Sequence, residues 1–181
     1  MRELIFQVVG ENRNTSEKLL LLEDTTLIQP THGCQFSGKN ALGIIVVPSL
    51  PEHRPRREVI RTTWGANRYE AQMMLFFLTG MPSNGDLTKL TEESNVHGDL
   101  IVENLDEHYY ALGIKTLRIL KWFHRNCPKS QFLIKADNDV FLNLPLFAKH
   151  LNALPKSFQI GGRVLEGRTP NLRNPFSKWY T

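Results

Sequence analysis

Lys135-Ala136-Asp137-Asn138-Asp139-Val140-Phe141 sets two carboxylates one residue apart between apolar runs, Phe132-Leu133-Ile134 before them and Val140-Phe141-Leu142 after. The acids therefore stand where a buried strand reaches its end. Two like charges held this close at an apolar boundary suffer desolvation and mutual repulsion, and a divalent cation is the simplest counter-charge. Hard carboxylate oxygens without a thiolate or imidazole beside them favour Mn²⁺ or Mg²⁺ over zinc. The same three residues also suit a plain turn, since Asp and Asn hydrogen-bond their own backbone.

Cations form the second group of chemistry-bearing residues. With Pro55 in the first turn and Gly65 as a stop, Arg56 to Trp64 reads as a helix. On it Arg54, Arg57 and Arg61 fall within about 60° of one another, and Ile60 and Trp64 form the adjoining apolar edge. Arg57 and Arg61 are candidates for gripping a phosphate and Trp64 for a packing anchor, although a solvated basic face gives the same pattern. Lys115 borders the apolar stripe of a later helix, as a third ligand-facing cation or as a lysine snorkelling along its stem. Brought to one sheet edge, these cations and a metal would grip a diphosphate, the metal offsetting charge on a departing group. No glycine-rich Lys-Ser/Thr loop of the P-loop kind occurs, which argues against nucleoside triphosphate hydrolysis.

The elements that must position these groups alternate in type. Leu42-Gly43-Ile44-Ile45-Val46-Val47 is a continuous β-branched run stopped by Pro48, the pattern of a strand covered on both faces. Met73 to Thr79, Asp99 to Val102, the run before Asp137, and Phe158 to Val164 read as further strands. Between them lie a short polar helix within 85–96 and a helix from Pro145 to Leu151. A long helix is expected to be capped by Asp106, with a stripe of Tyr109, Leu112, Thr116, Leu120 and Phe123, and to end before Pro128. Alternation of this kind predicts an α/β fold with a mainly parallel, doubly wound sheet. A basic helix directly after a central strand lies near the carboxyl edge, where open α/β sheets bind ligands. Residues 1–40 show no motif and read as an irregular leader to a domain over 41–181.

Composition narrows the classes. The chain has 181 residues, 41% hydrophobic and 22% charged, enough for one domain with a real core. A net charge of +4 is spread too thinly for a nucleic-acid footprint and lacks interleaved stacking aromatics. No apolar run approaches the roughly 18 residues of a bilayer span. Cys34 and Cys127 leave a disulfide and two buried thiols equally open, and His124 with Cys127 has no second ligand pair for zinc. Asn14-Thr15-Ser16 matches a glycosylation acceptor.

Arg56-Arg57-Glu58-Val59-Ile60-Arg61-Thr62-Thr63-Trp64-Gly65 resembles a signature of the β-1,3-galactosyltransferase-like enzymes of glycosyltransferase family 31. Further matches follow in the family's order: Phe77-Leu78-Thr79-Gly80, His97-Gly98-Asp99-Leu100-Ile101, Tyr109-Tyr110 with Lys115-Thr116, Trp122 with Cys127-Pro128, Lys135 to Phe141, and Pro175-Phe176-Ser177-Lys178-Trp179-Tyr180. The resemblance implies a GT-A-like fold, a UDP-sugar donor, Mn²⁺ (or Mg²⁺), and inverting transfer that forms a β-1,3 linkage to a glycan on a glycoprotein or glycolipid. It implies Asp139 as a direct metal ligand, Asp137 on the metal or nucleotide, and Arg57, Arg61, Lys115 and Asn138 along the donor site. Asn138 stands where the family usually has a middle Asp. The Pro-Phe-Ser-Lys-Trp ending and the His-x-x-Cys-Pro stretch at His124 to Pro128 resemble the enzymes that use UDP-galactose, with UDP-N-acetylglucosamine as the alternative donor. Relatives continue beyond Trp179-Tyr180, so the C-terminal part of the fold and the general base are expected downstream of Thr181. The family also implies a membrane anchor and the lumenal side of the Golgi. The alternative is a catalytically incomplete fragment that binds UDP and metal, or that pairs with its own kind or with full-length relatives.

Overall fold

A computed structural model describes residues 24–31, 33–108, 111–155, 157 and 160–162. In chain order the elements are β1 (Thr26–Ile28), β2 (Gly43–Pro48), α1 (Arg54–Thr62), β3 (Met73–Met81), α2 (Thr88–His97), β4 (Leu100–Asp106), α3 (Leu112–Asn126), β5 (Phe132–Lys135) and α4 (Leu144–Asn152). Short 3₁₀ turns occupy Gln35–Gly38 and Trp64–Arg68. The strands form one sheet in the order β1-β4-β3-β2-β5, with β2 to β5 parallel and only β1 antiparallel.

β2 is buried along its whole length, and its alternating side chains divide the core in two. Ile45 and Val47 join Ile60, Trp64, Phe77, Leu90, Ala148 and Leu151 on the face covered by α1, α2 and α4. Ile44 and Val46 join Phe76, Leu78, Ile119 and Trp122 under α3. Period-2 alternation within an apolar run thus feeds two helical layers, which is the doubly wound arrangement expected. Trp64 packs in the first of these clusters, as an anchor should. Gly65 follows it because a Cβ there would press on the Ile60 carbonyl at 2.6 Å.

Three expectations change. The stretch read as an irregular leader supplies β1, whose Thr26 and Ile28 pair with Glu103 and Val102 of β4. A three-residue strand carries too little alternation to be read from sequence. Asp106 does not cap a helix. β4 runs on to it because, past a bulge, Met81 still pairs with Asp106, and α3 begins only at Leu112. The buried stripe of α3 is also rotated from the one expected: Lys115, Arg118, Ile119 and Trp122 face inward, whereas Leu112 and Leu120 are about half exposed. Tyr109 lies outside the described residues, as does most of the strand expected over 158–164; within that stretch Ile160–Gly162 form no strand.

Cys34 and Cys127 form a disulfide that ties the Gln35–Gly38 turn to the end of α3. Lys129 N–H donates to the Ser37 carbonyl at 2.9 Å beside it. This removes Cys127 from any zinc set. With the two cysteines 93 positions apart, the cross-link constrains a long loop in the unfolded chain. Replacing both with serine is expected to lower the unfolding free energy by about 2–5 kcal/mol. Urea denaturation with and without reductant measures this, and coincident transitions would contradict it.

Candidate functional site

The parallel strands deliver four loops to one edge of the sheet. β3 and β4 lie to one side of β2 and β5 lies to the other, so the order reverses between β2 and β5. In open α/β sheets the crevice outside the carboxyl ends at such a switch point is where ligands bind. Here it is bounded by the Ser49–His53 loop after β2 and by Asp137-Asn138-Asp139 after β5. β5 is held in register with β2 from Gly43↔Phe132 to Val46↔Lys135, and Ala136 N–H then donates to the Val46 carbonyl at 3.3 Å. The acid pair leaves the sheet immediately afterwards.

Both carboxylates are exposed. Asp137 accepts from Lys135 Nζ at 2.8 Å, and its side chain is 62% exposed. Among the described residues nothing pairs with Asp139. Asn138 is half-buried and is the member of the trio tied to the rest of the fold: Arg56 Nη1 lies 3.4 Å from its Oδ1, and His53 Nδ1 lies 3.2 Å from its Nδ2. No group of three or more His, Cys, Asp or Glu side chains forms a complete metal cage among the described residues. The fit is to a hard divalent cation such as Mg²⁺, which takes one or two carboxylates and completes its shell with water and phosphate oxygens. Two cavities, about 180 Å³ between β1 and α3 and about 250 Å³ at the opposite, amino edge, lie away from this pair. The acids stand on an open rim, where ionised carboxylates stay hydrated at little cost.

The arginines expected to face a ligand turn inward instead. Arg57 is 0% exposed, and its guanidinium is fully engaged. Nε and Nη2 donate to Glu93 at 2.8 and 2.6 Å, Nη1 to Ser49 Oγ and the Leu50 carbonyl at 2.9 and 2.6 Å, and Nη2 also to the Pro51 carbonyl at 3.1 Å. That accounts for all five N–H donors of a guanidinium and leaves none for a diphosphate. Arg61 donates to Asp99 through Nε and Nη2, to Glu93 through Nη2 and to Glu58 through Nη1, and stacks over Phe77 at 4.8 Å. Lys115 is 2% exposed and donates to the Ser49 carbonyl at 2.5 Å and to Glu107 at 2.7 Å. Burial pushes its ammonium below the ordinary value, and the Glu107 partner opposes that shift. Of the guanidinium stripe, Arg57 and Arg61 are taken in by Glu93 and Asp99 from other elements, with Glu58 of α1 joining Arg61, while Arg54 stays exposed. In this structure the charged ends of Arg57, Arg61 and Lys115 are thus held beneath the crevice by the chain's own acids, hydroxyl and carbonyls.

Sequence reasoning passed over Glu93, Asp99, Ser49, Glu107, His53 and Arg56. One signal was available: Glu93 stands three residues from Leu90 on α2, hence on its buried face. Glu107 also receives the Gly80 N–H at 2.5 Å. Gly80 sits where β3 bulges away from β4, and a Cβ there would collide with the Leu105 carbonyl.

A mostly parallel sheet wound on both faces, with a pair of exposed carboxylates at its switch point, is a GT-A-like α/β fold. The family described as galactosyltransferase matches residues 55–181, and the chain belongs to it. Beta-1,3-galactosyltransferase 4 of Mus musculus is 36% identical over 128 residues, which cover 69% of this chain and 34% of the relative. Beta-1,3-galactosyltransferase 5 of Homo sapiens is 34% identical over 140 residues, 76% of this chain and 45% of the relative. A human acetylgalactosaminyl-O-glycosyl-glycoprotein beta-1,3-N-acetylglucosaminyltransferase is 33% identical over 153 residues, 79% of this chain and 40% of the relative. The chain thus spans between about a third and a half of the length of the curated relatives it matches.

Removing one partner from a buried ion pair leaves the other uncompensated, so Arg57→Ala is expected to cost about 3–5 kcal/mol, and the double variant Arg57→Met/Glu93→Leu less. Burial pushes the Glu93 carboxyl up, but Arg57 and Arg61 outweigh it and hold the group below its ordinary value of 4.5. A depressed carboxyl stabilises the fold above its unfolded pKa, and that stabilisation is lost as pH falls through the folded one. Denaturation midpoints should therefore drop as pH falls below 4.5, less steeply in Glu93→Gln; equal slopes would contradict the assignment.

Proposed function

We propose that this chain carries the donor side of a β-1,3-galactosyltransferase, binding UDP-galactose through a divalent cation, Mn²⁺ or Mg²⁺, for inverting transfer to a glycan on a glycoprotein or glycolipid. The observation that carries this is the exposed Asp137/Asp139 pair at the switch point, within the residues that match the family. When bound, the cation supplies the positive charge that makes UDP a good leaving group. Asp139 is its direct ligand. Asp137, already beside Lys135, contributes a second oxygen or orients the diphosphate. The Ser49–His53 loop forms the facing wall, held from behind by Arg57 and Lys115.

The Cys34–Cys127 disulfide favours an oxidising compartment, in keeping with a lumenal Golgi site. No helix among the described residues is long and apolar enough to cross a membrane. UDP-N-acetylglucosamine is the second reading for the donor. It is favoured by the human relative above and by lactosylceramide 1,3-N-acetyl-beta-D-glucosaminyltransferase A of Xenopus laevis, 31% identical over 169 residues.

Calorimetry tests the donor site directly. UDP is expected to bind in the presence of Mn²⁺ and to be released by chelator, and Asp139→Ala should weaken binding at least about tenfold. Binding indifferent to chelator and to Asp139→Ala would overturn the proposal. Competition between UDP-galactose and UDP-N-acetylglucosamine at the same site decides the donor.

A further inference from the structure

We propose that Asn138 is a positioning residue, gripped by His53 and Arg56 so that Asp137 and Asp139 are held toward one bound cation. This rests on the donor-site reading and assigns part of its rigidity to the first turn of α1. β2 and β5 are adjacent and parallel, so the loops after them run side by side and bring residues 53 and 138 together. The carboxylates that flank Asn138 are exposed and make little packing contact of their own. An unpacked ligand pair on an open loop needs a neighbour to fix its backbone, and half-buried Asn138 is the one with partners outside β5 and its loop.

The chemistry of the grip suits an amide. Its Oδ1 accepts from the Arg56 guanidinium while its Nδ2 donates to His53 Nδ1, which places the ring proton on Nε2. A carboxylate at 138 keeps the Arg56 contact as an ion pair and accepts from His53 if the ring proton moves to Nδ1. A leucine of similar volume satisfies neither partner.

The base of the grip is itself fixed. His53 N–H donates to the Leu50 carbonyl at 3.0 Å, and its own carbonyl accepts from Arg57 N–H at 3.1 Å. The Arg57 guanidinium fastens Leu50 and Pro51 in turn. A continuous chain of hydrogen bonds therefore runs from buried Glu93 through Arg57 and the Ser49–His53 loop to Asn138. Asn138, between the two acids, is where the buried network reaches the rim.

Titrating Mn²⁺ and UDP into the wild-type chain and its variants separates the possibilities, with thermal melts as the check on folding. Asn138→Leu and His53→Ala should each weaken Mn²⁺-dependent UDP binding about tenfold. Their combination should be no weaker than Asn138→Leu alone, because that variant already breaks the contact that His53→Ala removes. Asn138→Asp should restore near wild-type affinity, which a merely structural role at this position would not require. If the wild type binds and Asp139→Ala does not, yet Asn138→Leu binds as tightly as the wild type, the positioning role is wrong. Losses that multiply in the double variant, or no rescue by Asn138→Asp, also overturn it. If the wild type shows no Mn²⁺-dependent binding, the donor-site reading fails and takes this role with it.

Discussion

The buried exchange between Arg57 and Glu93 is the constraint on which the rest of the sheet edge depends. Without Arg57 the Pro51 carbonyl would lose its side-chain donor and the Leu50 carbonyl one of its donors, and the loop after β2 would be held less firmly. Without Glu93 a guanidinium would be stranded in the interior. Arg61 and Asp99 extend the network to the start of β4, while Lys115 and Glu107 close it on the other side through Ser49 and Gly80. Such a network adds little net stability over an apolar core, yet each break in it is costly. What it secures is the path of the loop, and hence the wall of the crevice.

A similar device holds the far edge. Glu103, buried on β4, accepts from the hydroxyls of Thr25 and Thr26 at 2.6 and 2.7 Å and lies 4.0 Å from the Arg118 guanidinium. Arg118 also reaches Thr25, and Trp122 donates to Gln29. β1 is thereby fastened by side chains as much as by its short ladder. The shift in the α3 stripe has the same cause: Lys115 and Arg118 turn inward because Glu107 and Glu103 wait for them, so Leu112 and Leu120 are left outside.

These pairings mark the limit of what the sequence could disclose. β2, β3 and the placement of the acid pair after β5 were legible because apolar runs between breakers have one reading in an alternating chain. The doubly wound class followed from that alternation, and family membership from ordered motifs. The inward face of α1 was not legible. A stripe of arginines looks the same whether it meets water, a diphosphate or buried acids, and Glu93 and Asp99 lie more than thirty residues further along the chain. The disulfide stayed open for the same reason, since its halves lie 93 positions apart. Long-range polar partners are chosen by topology, and topology becomes visible only when the strands are ordered.

In the proposed function, metal and nucleotide meet in the gap between the Ser49–His53 loop and the Asp137–Asp139 turn. Amide NMR with UDP and a trace of paramagnetic Mn²⁺ tests that most directly. The account predicts that broadening centres on Asp137 to Val140 and spreads first to Ser49–His53, while β1 and the second half of α3 stay sharp. Broadening centred on Asp24, Glu103 and their neighbours, or distributed without a centre, would contradict it.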